Sequence, residues 1–132
     1  MDLDLGIVGT KEWIFESGIA NTKTIKITNE SSEIDLQNIE IIFETKNPNI
    51  SITGNNVIPS DSTPGLTRYK FKFGKDQIIK RDGDSYPEEY QITTNLIEIY
   101  YKEAKFDLTI IILQNGIELK RETITITVRK KT

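Results

Sequence analysis

The sequence contains no cysteine and no histidine. Without cysteine, disulfides, zinc–thiolate sites, iron–sulfur clusters and thiol nucleophiles are excluded. Histidine is the commonest general base near neutral pH and the commonest transition-metal ligand, so its absence removes the usual parts of triad hydrolysis and of zinc or copper chemistry. We therefore expect no enzyme activity. The catalytic alternative that this composition leaves open is an enzyme with two carboxylates converging in a deep cleft, on a barrel for example.

The chain also lacks a basic excess and a long apolar run. It has 17 Lys and Arg against 20 Asp and Glu, a net charge of −3. Because nucleic-acid binding usually needs a basic face, we expect no nucleic-acid partner. No apolar stretch has the length that crosses a membrane, so no membrane insertion is expected. Residues 1–4 are acidic and no apolar segment follows them, which predicts no signal peptide in this chain.

What the chain does contain is apolar side chains at every second position, separated by Thr, Lys, Glu and Asp. This alternation places apolar groups on one face of a strand, and β-branched residues favour strands. The sets are Leu3/Leu5/Ile7, Trp13/Phe15, Ile25/Ile27, Ile39/Ile41/Phe43, Ile50/Ile52, Tyr69/Phe71/Phe73, Tyr90/Ile92, Ile97/Ile99/Tyr101, Phe106/Leu108/Ile110/Ile112, Ile117/Leu119 and Ile124/Ile126/Val128.

Turn clusters separate these sets, and no window shows helical spacing; residues 85–89 hold at most a short helical turn. The pattern predicts an all-β fold, an antiparallel β-sandwich of about seven to ten strands, with residues 1–132 forming a single domain. A closed barrel is the competing architecture.

The sharpest turn signal is Asn115-Gly116, since both residues tolerate the positive φ of a two-residue hairpin. With that turn, Ile112 pairs with Leu119. Ile124 has the opposite parity to Leu119, so one extra residue is needed within residues 120–123 to restore the phase. We predict a β-bulge there.

Two apolar segments indicate contact with a partner. Residues 39–43 and 109–113 would be adhesive if they formed unpaired sheet edges. Residues 110–113 are apolar on both faces, which favours a central strand or one that a partner covers. The sequence therefore predicts a protein partner, or self-association, through a sheet edge or face.

Three segments resemble a known family. Residues 22–29 (TKTIKITN) and 36–43 (LQNIEIIF) resemble the early strands of immunoglobulin-like modules of the CARDB type, found in bacterial and archaeal surface proteins. Residues 106–128, with the Asn115-Gly116 turn and the run ETITITV, are similar to their last hairpin. The resemblance implies an immunoglobulin-like sandwich with a spacer, adhesion or assembly role at a cell surface, on an appendage or on a virion. It offers no catalytic residues.

An alternative function is carbohydrate binding through exposed aromatic rings. Tyr101 follows another tyrosine, so one of the two faces outward on a strand. Trp13 and Tyr86 are the other candidates for a flat platform that stacks on sugars. The competing interpretation places these rings in the core or at its rim.

A metal site is the last candidate. Asp82, Asp84 and Glu88 lie in one acidic segment, and calcium prefers carboxylate and carbonyl oxygens. The segment lacks the regular spacing and closing glutamate of an EF-hand loop, and a solvated turn explains it equally well. Apart from calcium, no cofactor is expected.

Overall fold

The computed structural model of the protein describes residues 3–7, 12–55, 57–58, 63–74, 78–96 and 102–130. These residues form ten strands and no helix, hence no helix that could span a membrane. The strands are β1 (Leu3–Ile7), β2 (Glu12–Glu16), β3 (Ala20–Asn29), β4 (Ile39–Thr45), β5 (Ile50–Gly54), β6 (Val57–Ile58), β7 (Thr67–Lys72), β8 (Ser85–Thr94), β9 (Glu103–Gln114) and β10 (Ile117–Arg129).

The strands form two sheets, which confirms the predicted all-β sandwich. One sheet has the order β1-β3-β8-β5 and the other the order β2-β10-β9-β4-β7-β6. All pairings are antiparallel except that of β2 with β10, which is parallel. The first two strands lie in different sheets, since β1 pairs with β3. The described strands form two sheets and not a closed barrel.

The alternating apolar residues face inward and form the core between the sheets. At its centre the Tyr90 ring packs edge-on against Phe43 and Phe71, with centroid distances of 4.9 and 5.1 Å. Gly54 lies opposite Tyr90, and a Cβ at that position would lie 2.8 Å from the ring. Glycine is therefore required there for the tyrosine to pack.

The predicted hairpin is confirmed, but its bulge lies earlier than we predicted. Asn115 and Gly116 have φ values of 50° and 81°, as the two-residue turn requires. The register shifts between Glu118 and Lys120, so Leu119 is the extra residue and Ile112 pairs with Lys120. The predicted pairing of Ile112 with Leu119 and the bulge within residues 120–123 are wrong, because the phase can be restored anywhere before Ile124.

Residues 85–89, for which the sequence allowed at most a short helical turn, form the first half of β8. Strand β8 lies between β3 and β5. The carbonyl of Thr94 points towards the β3 side, where it accepts a hydrogen bond from Gly18. Because backbone direction alternates along a strand, the backbone nitrogen of Pro87 points towards the β5 side. There β5 pairs only with residues 90–94. Proline has no N–H to donate, and at residue 87 no strand on that side would accept the hydrogen bond, so β8 tolerates it there. The predicted strand at residues 97–101 lies outside the described residues.

The two adhesive segments are interior strands. Residues 39–43 belong to β4, which lies between β9 and β7, and residues 109–113 belong to β9, which lies between β10 and β4. Neither segment is therefore an unpaired sheet edge, and the central position predicted for residues 110–113 is confirmed.

Candidate functional site

The outer face of the six-stranded sheet buries apolar side chains that do not belong to the core between the sheets. Ile42 on β4 and Ile111 on β9 are opposite each other in the register and face outward. Their exposed fractions are only 1% and 3%. An outward residue of a sandwich is normally solvated, so other side chains must cover this pair.

The cover consists of three ion pairs around the two isoleucines, two between β4 and β7 and one within β10. Arg68 contacts Glu44 at 3.3 Å, Lys70 contacts Glu40 at 3.5 Å and Arg121 contacts Glu118 at 2.8 Å. We call these six residues the charged cover. Lys70 pairs with Ile42 in the register and Arg121 pairs with Ile111. Long charged side chains lay their aliphatic stems over apolar surface in this way.

The bond between Arg121 and Glu118 also shifts their protonation equilibria. The guanidinium donates to the carboxylate and lowers the pKa of Glu118, while the carboxylate raises the pKa of Arg121. Both groups are therefore charged over the whole physiological pH range. The cover presents charges of both signs, three cations and three anions.

Two shallow grooves lie at opposite ends of this face. The larger, about 480 Å³, we call the threonine groove. It is lined by Glu44, Thr45, Lys46, Leu66, Phe106, Asp107, Thr109 and Thr123. The smaller, about 310 Å³, is lined by Asn38, Glu40, Lys72, Asn115 and Gly116. Thus the face that buries Ile42 and Ile111 is also the one with concave surface at both ends.

The inner face of the four-stranded sheet carries the polar groups that burial perturbs. Glu88 is 8% exposed, and burial raises its pKa above the ordinary value. Tyr90 is 1% exposed; burial, and then the charge of Glu88, raises its pKa, and its hydroxyl has no partner among the described residues. Glu88 is therefore the carboxyl to consider for a two-acid mechanism. A two-acid mechanism needs a second carboxyl beside it.

The three residues predicted to bind calcium do not come together. Asp84 accepts a hydrogen bond from the backbone of Lys80 at 3.0 Å, Asp82 is exposed in a turn with φ of 67°, and Glu88 faces the core. No group of three or more acidic side chains that could hold a metal exists among the described residues. The predicted ligand set is therefore wrong, because the β8 alternation turns Glu88 inward. Calcium binding by the chain stays an untested prediction.

The aromatic platform is not formed by the residues predicted for it. Trp13 is 4% exposed, lies 6.0 Å from Phe15 and has the Lys23 ammonium 5.4 Å from its ring centroid. Tyr86 is half-buried and packs edge-on against Phe73 at 5.5 Å. The prediction of an exposed Trp13 is wrong, since alternation on β2 turns it into the core. Tyr101 lies outside the described residues.

Asn29 organises one end of the sandwich, but in the sequence it is only a residue of a turn cluster. Asn29 is completely buried, and its amide donates to the carbonyls of Ile34 and Ile79 at 2.9 and 3.0 Å. Its side-chain oxygen accepts from the backbone of Ser31 at 3.0 Å. Asn29 therefore joins the β3–β4 loop to the segment before β8, and only the fold reveals that these segments are neighbours.

No family model and no curated protein sequence matches the chain. Solved structures do. The periplasmic chaperone SfaE matches over 99% of this chain and 58% of its own, at 13% identity and a TM-score of 0.52. A cohesin module of a Clostridium perfringens family 33 glycoside hydrolase matches over 98% of this chain and 97% of its own, at 13% identity and a TM-score of 0.57. AvmM, which catalyses a macrocyclization in alchivemycin A biosynthesis, matches over 99% of this chain and 89% of its own, at 6% identity and a TM-score of 0.59.

At these identities the comparisons establish the fold alone, an immunoglobulin-like β-sandwich. The chain spans little more than half of the SfaE chain. The matched proteins include a chaperone, a cohesin module and an enzyme, so the fold alone assigns no activity. The immunoglobulin-like resemblance is confirmed, whereas membership of the CARDB type stays a prediction.

Proposed function

We propose that this protein is a non-catalytic protein-interaction module of a cell-surface, appendage or virion assembly, and that it binds its partner through the outer face of the six-stranded sheet. The observation that carries the proposal is the pair Ile42 and Ile111, buried beneath the charged cover. Interfaces of this kind combine an apolar centre with a polar rim. Arginine, which contributes Arg68 and Arg121 here, is enriched at such interfaces.

The distribution of charge supports the same face. Among the described residues, the charged cover provides three of the ion pairs. The described outward side chains of the four-stranded sheet are mostly Thr, Ser, Lys and Gln, with none of them buried. A fixed alternation of charges selects among partners more than it adds affinity.

The test compares two charge reversals on opposite sheets. Glu118→Arg changes an exposed residue of the charged cover, and Glu89→Arg makes the same change at an exposed position on β8. Both proteins are immobilised and exposed to a surface extract of the source cells or particles, and the bound fraction is quantified.

We expect Glu118→Arg to reduce the specifically bound partner at least about tenfold, as charge reversal in an interface costs more than 1.4 kcal/mol. Glu89→Arg should bind as the unmodified protein does. Equal binding by both variants, or loss only in Glu89→Arg, would exclude this face. Circular dichroism and thermal unfolding of both variants verify that they remain folded.

A further inference from the structure

The threonine groove has a chemistry of its own, distinct from the charged cover. It lies at the end of the six-stranded sheet where β4 ends and β7 begins, and its volume of about 480 Å³ falls within the range of small-molecule sites. Strands β4, β9 and β10 supply its walls, so most of its lining is held by the sheet and not by loops.

Polar groups in the groove retain hydrogen-bonding capacity. The Asp107 carboxylate accepts only one long bond, 3.4 Å from the hydroxyl of Thr125, among the described residues. The hydroxyls of Thr109 and Thr123 share one bond of 3.3 Å between them. Each of these groups therefore has lone pairs or a proton left for a ligand.

The charges of the groove balance once Arg68, which is not part of the lining, is counted with it. Glu44 is paired with Arg68, while Lys46 and Asp107 are one cation and one anion. A groove with no net charge selects neither anions nor cations. It also contains apolar surface from Leu66 and from the exposed part of Phe106, which is half-buried against the core. A ligand that fits is neutral, carries several hydroxyls and has an apolar face.

A pyranose ring has these properties, with hydroxyls around its rim and C–H groups on its faces. We propose that the threonine groove binds a neutral saccharide, with Asp107 accepting hydrogen bonds from sugar hydroxyls, Thr109 and Thr123 exchanging further ones, and Phe106 and Leu66 contacting the C–H face. The site lies at one end of the face proposed for protein binding and shares Glu44 with the charged cover. It uses none of the aromatic residues that the sequence indicated.

The experiment has two arms. A printed array of neutral and charged oligosaccharides is probed with the whole protein. Backbone amide signals of the ¹⁵N-labelled protein are then followed by NMR during titration with cellobiose, maltose and the best ligand of the array. We expect saturable shifts confined to residues 44–46, 66, 106–109 and 123, and weaker binding of uronic acids and amino sugars than of neutral sugars.

Asp107→Asn tests the central contact, with Asp82→Asn as a matched control in an exposed turn at the other end. Because Asp107→Asn loses a charge-assisted hydrogen bond, we expect it to bind the saccharide about tenfold more weakly. Asp82→Asn should bind with the affinity of the unmodified protein. Phe106→Leu keeps an apolar side chain and should weaken binding without unfolding the protein.

Three results overturn the proposal. The first is the absence of any saturable binding on the array and in the titrations. The second is a set of shifts centred away from the groove. The third is an affinity of Asp107→Asn equal to that of the unmodified protein. Retention of a protein partner by Asp107→Asn leaves the proposed function intact, so the two proposals fail separately.

Discussion

The two sheets of this sandwich differ in what they bury. The six-stranded sheet buries apolar residues on both faces, with Ile112 inside and Ile42 and Ile111 outside. The four-stranded sheet buries its described side chains on the inner face only, and there polar groups such as Asn29 and Glu88 lie among the isoleucines. Among the described residues, the polar groups that the six-stranded sheet buries are the hydroxyls of Thr45 and Thr127, whereas the four-stranded sheet also buries an amide and a carboxyl.

The difference teaches where function is to be sought. Extra apolar burial on an outer face is not needed to close the sandwich, which is why we propose the face that holds Ile42 and Ile111 as the one that binds a partner. Buried polar groups, in contrast, fix loops and specify one arrangement when they are fully bonded, as Asn29 is. The following variants test whether these two kinds of burial behave differently.

The largest effect is expected inside the core. Ile112→Ala removes a completely buried side chain between two rigid sheets, and the cavity should lower the free energy of unfolding by about 4 kcal/mol. Urea denaturation measures the change. Ile117→Ala, at a position 69% exposed, is the control and should change stability by less than about 0.5 kcal/mol. Similar losses in both variants would place Ile112 outside the core.

The next effect concerns the polar core of the other sheet. Asn29→Ala removes the hydrogen bonds that this side chain makes to the carbonyl of Ile34 and to the amide of Ser31, and one of the two bonds that the Ile79 carbonyl accepts. The loss should cost about 3 kcal/mol. Asn21→Ala removes one bond, to Ile19, and should cost less than about 1 kcal/mol. Denaturant midpoints compare the two. A loss for Asn29→Ala no larger than that for Asn21→Ala would mean that the loops do not depend on this amide.

A smaller effect is expected for the outer isoleucine. Ile111→Ala removes a side chain as buried as its neighbour Ile112, but the flexible charged cover can collapse onto the space. Only the transfer contribution is then lost, about 2 kcal/mol. The same urea measurement applies. A loss equal to that of Ile112→Ala would show that the cover is packed as rigidly as the core.

Glu88 tests the inner polar groups through pH. Burial raises its pKa in the folded protein, so the folded state holds this proton more tightly than the unfolded state does. Stability associated with Glu88 is full below the ordinary carboxyl pKa and is lost as the pH rises through the raised value. Glu88→Gln should therefore be more stable than the unmodified protein at pH 7, by a margin that shrinks towards pH 4.

Urea denaturation between pH 4 and 7 measures that margin, with the exposed neighbour as control in Glu89→Gln. Glu89→Gln should show no comparable pH-dependent gain. If Glu88→Gln is less stable than the unmodified protein at pH 7, the ionised carboxylate has a stabilising partner and the assignment to burial is wrong.

The smallest effect belongs to the charged cover itself. Glu118→Gln removes an ion pair between exposed side chains, and such pairs contribute at most about 1 kcal/mol. We expect a loss of stability much smaller than that of Ile111→Ala, and one that disappears in molar salt, as screening requires. Thermal unfolding at low and high salt checks it. A loss of several kcal/mol would show that the cover is a structural element of the fold and not a binding surface.

Much of the fold was predictable from the sequence because alternation is local. The inward positions of Ile25 and Ile27, and the turn at Asn115-Gly116, follow from neighbouring residues alone. Strand order is not local, so the sequence could not tell that β4 and β9 are neighbours or that Ile42 meets Ile111. The sequence predicted that this strand has a bulge, but it placed the bulge a few residues after its actual position at Leu119.

The candidate site was largely invisible for the same reason. Thr109 and Thr123 lie opposite each other only once the register past the bulge is known. Trp13 looked like a ligand-stacking residue because a lone tryptophan does not disclose which face of its strand is buried. Pairing across the sheet, and not residue type, determines which side chains form a surface.

Amide hydrogen exchange on the protein bound to its captured partner tests the central claim most directly. Protection on binding reports which backbone amides the contact shields or stabilises. The account predicts slower exchange in β4, β7, β9 and β10, with β3, β5 and β8 unchanged. Protection concentrated in β3, β5 and β8 would contradict it.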